Sequence, residues 1–201
     1  MNTFMNKYIR PAIVLTVLLT VLTGLIYPGI VTALAQLIFP YQANGSLHTV
    51  NGKVIGSDLI GQYWTSPRYF HGRPSATLSA ATGSPAPYSA DNSSASNLGP
   101  TSAALIQTVQ QRITQLRKEN PNAPTGPVPV DLVTASGSGL DPDISVAAAL
   151  YQVPRIASER GLSKDAVRQL IMNHVQGRFL GIFGEPYVNV LDLNLSLDTL
   201  K

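Results

Sequence analysis

The sequence predicts an α+β protein: a single N-terminal transmembrane helix, then one mixed soluble domain with several helices and a small sheet. Three observations carry this reading. From Pro11 to Gly52 the chain has no Asp, Glu, Lys or Arg, and the front of that run is almost wholly apolar. Beyond it, apolar residues recur at helical spacing behind Ser or Thr caps. Between those runs lie only short segments of strand character.

The elements follow in chain order. Residues 1–10 form a short tail that carries Lys7 and Arg10. Residues 11–33 would reach roughly 35 Å as a helix, enough for a span that needs about 20 apolar residues. Hydrocarbon offers the backbone no hydrogen bonds, so a helix is the form such a segment takes. The next basic residue after Arg10 is Lys53. That asymmetry predicts a cytoplasmic tail and a single span, and places residues 34–201 outside, which in a bacterium means the periplasm or the cell surface. The rival is a signal peptide cleaved after Ala33-Leu34-Ala35, but Leu37, Ile38 and Phe39 extend the apolar run past that point, which favours a retained anchor. Thr16, Thr20, Thr23 and Gly24, with Tyr27, fall on one helical face. Small and hydroxyl residues there suit docking against another membrane helix; the plainer reading is threonine bonding back to its own helix. Pro28 and Gly29 are expected to kink or end the helix.

Leu47–Val50, Asn51-Gly52 and Lys53–Ile55 read as a β-hairpin with a tight turn. Gly72–Asn97 is rich in Ser, Ala, Pro, Gly and Asn and reads as a long exposed loop. A helix is expected from Thr101 or Ser102, with Leu105, Val109, Ile113 and Leu116 as its apolar stripe and Pro121 as its stop. Val128–Ala135 reads as a strand, and Ser136–Gly139 as a turn. A further helix starts near Ile144 or Ser145, breaks at Pro154 and resumes to Gly161. Ser163 caps the next, with Val167, Leu170, Ile171 and Val175 inside. Leu191, Leu193, Leu195 and Leu197 alternate with polar residues, the pattern of a half-buried strand.

Composition narrows the chemistry. The formal net charge is +3, with 14 basic and 11 acidic residues, and Lys7 and Arg10 supply most of that excess. No basic run supports a nucleic-acid partner. With no cysteine, disulfides and thiolate metal sites are excluded. There is no P-loop, no G-x-S-x-G elbow and no H-E-x-x-H, and no metal site is expected. Asp141-Pro-Asp143 lacks the rest of a calcium loop and is read as capping the next helix.

Tyr69-Phe-His-Gly-Arg-Pro-Ser75 is the densest cluster. Tyr69, Phe70, His71 and Arg73 are candidate contacts to a partner, being types enriched at interface anchors. The plainer alternative puts Phe70 in the core and pairs Arg73 with a carboxylate. A catalytic reading would make His71 the base of an anchored periplasmic hydrolase, with Ser136 or Ser138 as nucleophile. A direct ATP-binding reading would use Ser136, Ser138 and Asp141 from the turn, with Tyr151 and Gln152 from the helix break.

Several long motifs then stand in one order: Gly56-Ser-Asp-Leu-Ile-Gly-Gln62, Tyr69-Phe-His-Gly-Arg-Pro-Ser-Ala76, Asn97-Leu-Gly-Pro-Thr-Ser102, Val130-Asp-Leu-Val-Thr-Ala-Ser-Gly-Ser-Gly-Leu-Asp141, Tyr151-Gln-Val-Pro-Arg155 and Val188-Asn-Val-Leu-Asp-Leu-Asn-Leu195. Through these the chain resembles the C-subunit (KdpC) family of the Kdp potassium-transporting ATPase, over essentially its whole length. Asp143 and Tyr187 depart from that family's pattern.

The resemblance implies an accessory, non-catalytic subunit of an ATP-driven, high-affinity potassium import complex. Its partners would be a channel-like potassium-binding subunit, a P-type ATPase subunit and a small single-helix subunit. The chain has neither D-K-T-G nor T-V-G-Y-G, so it is neither pump nor channel. The family is described as a catalytic chaperone that raises the pump's ATP affinity; no firmly bound cofactor is implied, and ATP would be met through the complex. The charge asymmetry sets the soluble domain opposite that cytoplasmic nucleotide. Its action on ATP is therefore expected to be indirect, with the domain as a lid over the channel-like subunit's outer mouth.

Overall fold

A computed structural model describes residues 4–200. The first three residues of the expected tail lie outside the described residues. The chain divides into two compact units between Leu47 and His48, and the class is α+β with helix predominant.

The first unit is one long apolar helix, α1 (Asn6–Ile38), of 33 residues with a mean hydropathy of 2.2 and none of its most apolar window buried. It is long and apolar enough to cross a membrane, and it runs past residues 11–33 at both ends. Pro28 and Gly29 do not end it. Instead, Leu22–Ile26 form a π turn in which the Tyr27 amide donates to the Leu22 carbonyl. The wider turn accommodates a proline that has no N–H and would crowd the carbonyl four residues back. The chain turns at Phe39, and a single helical turn follows, α2 (Pro40–Ala43).

The second unit opens with the hairpin of β1 (Leu47–Val50) and β2 (Lys53–Ser57). Asn51 and Gly52 both take positive φ, 50° and 77°, as a two-residue I′ turn requires. The loop from Gly72 to Asn97 contains no helix or named strand, in line with its composition. Helix α3 (Ala103–Glu119) follows, its Leu105, Val109, Ile113 and Leu116 stripe only half-buried.

The core is built by two short strands that each feed a helix. Strand β3 (Asp143–Ser145) runs into α4 (Val146–Arg160), and β4 (Tyr187–Asn189) runs into α6 (Val190–Thr199). The strands pair antiparallel, with Ile144 opposite Val188 and both buried. Helix α5 (Lys164–His174) contributes Val167 and Ile171 to the same cluster. Helices α3 to α6 each have a side-chain cap three residues before the amide it accepts: Ser102 for Leu105, Ser145 for Ala148, Ser163 for Ala166 and Asn189 for Asp192.

Four sequence expectations are corrected. Val128–Ala135 is not a strand: Val130–Leu132 form a 3₁₀ turn that finds no ladder partner, and Leu132 and Val133 turn inward. Pro154 does not break its helix. It lies inside the continuous α4, whose residues Tyr151 to Ala157 are all buried; burying that face outweighs a proline cost of about 3 kcal/mol. The Asp141-Pro-Asp143 carboxylates do not cap α4; Ser145 does, while Asp131 accepts the Ser145 amide at 2.7 Å. Leu191–Leu197 is helix, not strand. Val190, Leu193, Asn194 and Leu197 fall at i, i+3, i+4 and i+7, and all four are buried.

The helical assignment of this last segment makes a distinguishing prediction. Leu193→Ala and Leu197→Ala should each destabilise the protein by about 2–5 kcal/mol. Leu195→Ala should cost clearly less, because Leu195 is only half-buried. Chemical unfolding of the full chain in detergent measures this. Equal losses at all three positions would indicate the alternating strand instead.

Candidate functional site

Residues 66–75 form a strap across α4 and α6. Asn194, wholly buried on α6, holds the Phe70 peptide on both sides: its Oδ1 accepts the Phe70 amide at 2.8 Å and its Nδ2 donates to the Phe70 carbonyl at 3.0 Å. Gln152, buried on α4, does the same to His71, its Oε1 accepting at 2.8 Å and its Nε2 donating at 3.1 Å. Two carboxamides from two helices thus replace the ladder that a neighbouring strand would supply. Arg155 completes the clamp. Its Nη1 donates to the Pro67 and Tyr69 carbonyls, and its Nη2 donates to Gln152 Oε1 at 2.7 Å. Burial pushes the Arg155 guanidinium down to about 10, with Glu119 and Glu159 opposing. It remains charged at neutral pH.

The strap's other side chains are equally engaged. Tyr69 donates to Asp198 at 3.0 Å, and its ring lies 4.7 Å under the Arg160 guanidinium. Arg73 pairs with Asp141 at 3.0 Å, and its carbonyl accepts from Tyr88 at 2.7 Å. The His71 ring bonds the Ser66 carbonyl through Nε2 at 3.0 Å. A carbonyl only accepts, so Nε2 carries the proton. Burial first, and then Arg155, lower the His71 pKa, so the ring is neutral at pH 7. Phe70 is fully buried in the core. It holds the strap in place and offers no face to a partner.

Alongside the strap runs a cleft of about 490 Å³, lined by Trp64, His71, Arg73, Tyr88, Arg112 and Glu119 among others. Trp64 Nε1 and Arg73 Nε are buried on its walls without an acceptor among the described residues. Such unpaired donors are costly, and a group bearing oxygen acceptors would satisfy them. Arg112, whose Nη1 donates to the Val133 carbonyl at 2.9 Å, adds positive charge there. Trp64, Tyr88 and Arg112 escaped the sequence reading because they come from separate segments. Asn194 was the one legible signal missed, an amide within an apolar run.

The residues proposed for nucleotide do not converge. Ser136 is buried, its amide donating to the Pro74 carbonyl at 3.1 Å. The Ser138 carbonyl accepts from the Ser94 amide at 3.0 Å and from the Ser93 hydroxyl at 2.9 Å. A Cβ on Gly139, at φ 70°, would lie 2.6 Å from the Ser94 carbonyl oxygen, so the long loop fills the inner face of this turn. Asp141 is held by Arg73 and lines a separate hollow, Tyr151 lines a third beside Asn120, and Gln152 is spent on the strap. The hydrolase pairing is not assembled either: no hydrogen bond joins His71 to Ser136 or Ser138, whose hydroxyl accepts the Leu140 amide at 3.1 Å. Among the described residues no group of His, Asp and Glu is placed to hold a metal.

In the first unit, Thr16, Thr20, Thr23 and Gly24 are all exposed. Thr23 donates to the Leu19 carbonyl at 2.7 Å, the local back-bond.

Asp143 accepts from Asn189 Nδ2 at 3.2 Å. Burial, Asp141 and Asp58 push its carboxyl up from 3.8 to about 6, with the Asn189 bond opposing. Tyr187 donates to Gln176 Oε1 at 2.8 Å at the foot of a hairpin.

These contacts can be tested in two ways. Asn194→Leu keeps the branched shape and number of heavy atoms but leaves the buried Phe70 amide and carbonyl unpaired, and should cost at least about 1–3 kcal/mol for each group in chemical unfolding. Asp143 holds its proton more tightly folded than unfolded. Its contribution is therefore complete below pH 3.8 and is lost as pH rises through about 6. Asp143→Asn should flatten the decline in melting temperature across that window, and an unchanged profile would show that Asp143 does not set it.

Comparison with known proteins bears out the family resemblance. The profile of the family described as "K+-transporting ATPase, c chain" matches residues 9–199. A "Potassium-transporting ATPase KdpC subunit" of Rhodopseudomonas palustris (strain BisB18) is 58% identical over 98% of this chain and 100% of its own length. The protein of that name from Methylobacterium nodulans is 58% identical over 98% of each chain. That from Sorangium cellulosum is 55% identical over 96% of this chain and 98% of its own. The chain belongs to the KdpC family, the c chains of the potassium-transporting ATPase.

Proposed function

We propose that this chain is the accessory subunit of a bacterial potassium-import complex, and that it assembles or stabilises the complex from outside the inner membrane. Its partners are the channel-like potassium-binding subunit, the P-type ATPase subunit and the small single-helix subunit. The carrying observation is the family match from residue 9 to 199, which takes in nearly all of α1 and the whole strap. Lys7 and Arg10 before the apolar run, with no further basic residue until Lys53, support a cytoplasmic N-terminus and a periplasmic domain.

In that orientation the domain cannot touch the pump's cytoplasmic nucleotide. It raises the pump's ATP affinity as a catalytic chaperone through the membrane helices or through assembly, and covers the outer mouth of the channel-like subunit. Thr16, Thr20, Thr23 and Gly24 provide close approach for a partner helix. In the domain, Tyr69, His71 and Arg73 keep part of their surface. The cleft beside His71 and Arg73 receives an acceptor-bearing partner group, for which Trp64 Nε1 and Arg73 Nε are available.

The test has two readouts. Protease should cut the domain in spheroplasts and leave it protected in inverted vesicles; the opposite pattern would reject the orientation. Reconstitution of the complex without this chain should raise the KM for ATP. An unchanged KM would reject the chaperone role while leaving the orientation standing.

A further inference from the structure

Between α5 and β4 the chain projects a small hairpin whose tip reads Arg178-Phe-Leu-Gly-Ile-Phe-Gly-Glu185. Phe179, Leu180, Ile182 and Phe183 are 72%, 73%, 72% and 62% exposed. No other run in the second unit shows so many large apolar side chains to solvent among the described residues. A contiguous patch of this kind marks a docking or membrane surface.

Three features decide what it meets. First, the tip pairs part of its own backbone. The Phe179 amide donates to the Phe183 carbonyl at 2.8 Å, and the Phe183 amide to the Phe179 carbonyl at 3.0 Å. The Gly181 amide donates to the Arg178 carbonyl at 3.0 Å, and that of Ile182 to the Phe179 carbonyl at 3.2 Å. Each such pair lowers the cost of carrying the tip's backbone out of bulk water to the headgroup–acyl boundary, where the remaining groups still meet water and headgroups. Second, charge is confined to the foot. Arg178 and Glu185 pair through two bonds of 2.8 Å, and nothing charged lies between them. Tyr187, below, is a residue type enriched at headgroup level. Third, only residues 39–47 separate the end of α1 from this unit. Fully extended they reach roughly 30 Å, so the domain stays close to any bilayer that α1 crosses.

We infer that the 179–183 tip is a second membrane contact, dipping Phe179, Leu180, Ile182 and Phe183 into the outer leaflet at the headgroup–acyl boundary. Arg178, Glu185 and Tyr187 stay at headgroup level. The tip adds a monotopic anchor to the spanning one and limits how the domain can turn about its tether. This rests on α1 being a retained membrane helix.

The chain has no cysteine, so single substitutions label cleanly. Ile182→Cys, Leu25→Cys and Thr125→Cys, each carrying an NBD fluorophore, are compared as the full chain in phosphatidylglycerol/phosphatidylcholine nanodiscs, alone and in the assembled complex. Spin-labelled lipid serves as quencher. The expected result is blue-shifted emission and quenching at residues 182 and 25, with neither at the exposed Thr125 position. Quenching at 25 without 182 overturns the tip contact alone. No quenching at either overturns the anchor reading and the tip contact with it. Equal quenching at 182 and 125 overturns a specific tip contact. A blue shift at 182 that arises only in the complex, without lipid quenching, overturns the lipid assignment in favour of a protein surface.

Discussion

The soluble domain depends on two buried carboxamides. Gln152 on α4 and Asn194 on α6 each grip one residue of the strap, at His71 and Phe70. Each amide presents one acceptor and one donor at the spacing of a peptide, so each satisfies an N–H and a C=O at once. This lets an irregular segment cross the core without a β-partner. It also ties the two helices together through a third element, so that the helix packing and the strap path specify one another. Phe70 fills the core beneath, and Arg155 closes the far end with bonds to carbonyls two and four residues upstream of His71. A buried guanidinium without a carboxylate bonded to it is tolerated because the Pro67 and Tyr69 carbonyl oxygens and Gln152 Oε1 accept hydrogen bonds from its N–H groups.

That construction explains why the strap is a scaffold first and a contact surface second. Its most conspicuous side chains point inward or into local pairs: Phe70 to the core, Tyr69 to Asp198 and Arg160, Arg73 to Asp141. What remains for a partner is the cleft beside it, where Trp64 and Arg73 hold buried N–H groups without acceptors among the described residues. The nucleotide candidates are scattered for the same reason. Gln152 is consumed by the clamp, and the Ser136–Gly139 turn is filled by the long loop whose amide and hydroxyl it accepts.

Much of the local structure was legible because it is decided locally. The Asn51-Gly52 turn, the Ser102 and Ser163 caps and the Gly161 stop each depend on a few adjacent residues whose backbone preference or side-chain reach settles the geometry. The failures share a cause. Leucines 191 to 197 alternate, but Asn194 also sits in the pattern, and its clamp on Phe70 requires the helical face on which Val190, Leu193 and Leu197 are buried with it. Pro154 signals a break by itself, yet α4 is buried along both flanks of it. In each case long-range burial outweighed a local preference of smaller size.

The sequence by itself determined the apolar helix and its charge asymmetry, the hairpin, the starts of α3, α4 and α5, and the family, since each is carried by contiguous residues. Only the tertiary structure decided that the strap is clamped by Gln152 and Asn194, that its neighbours open a cleft with unpaired donors, and that the 179–183 tip stands clear of the core. Those facts depend on groups from different helices and loops meeting in space, and on which apolar side chains the core leaves out. No local period or propensity records either.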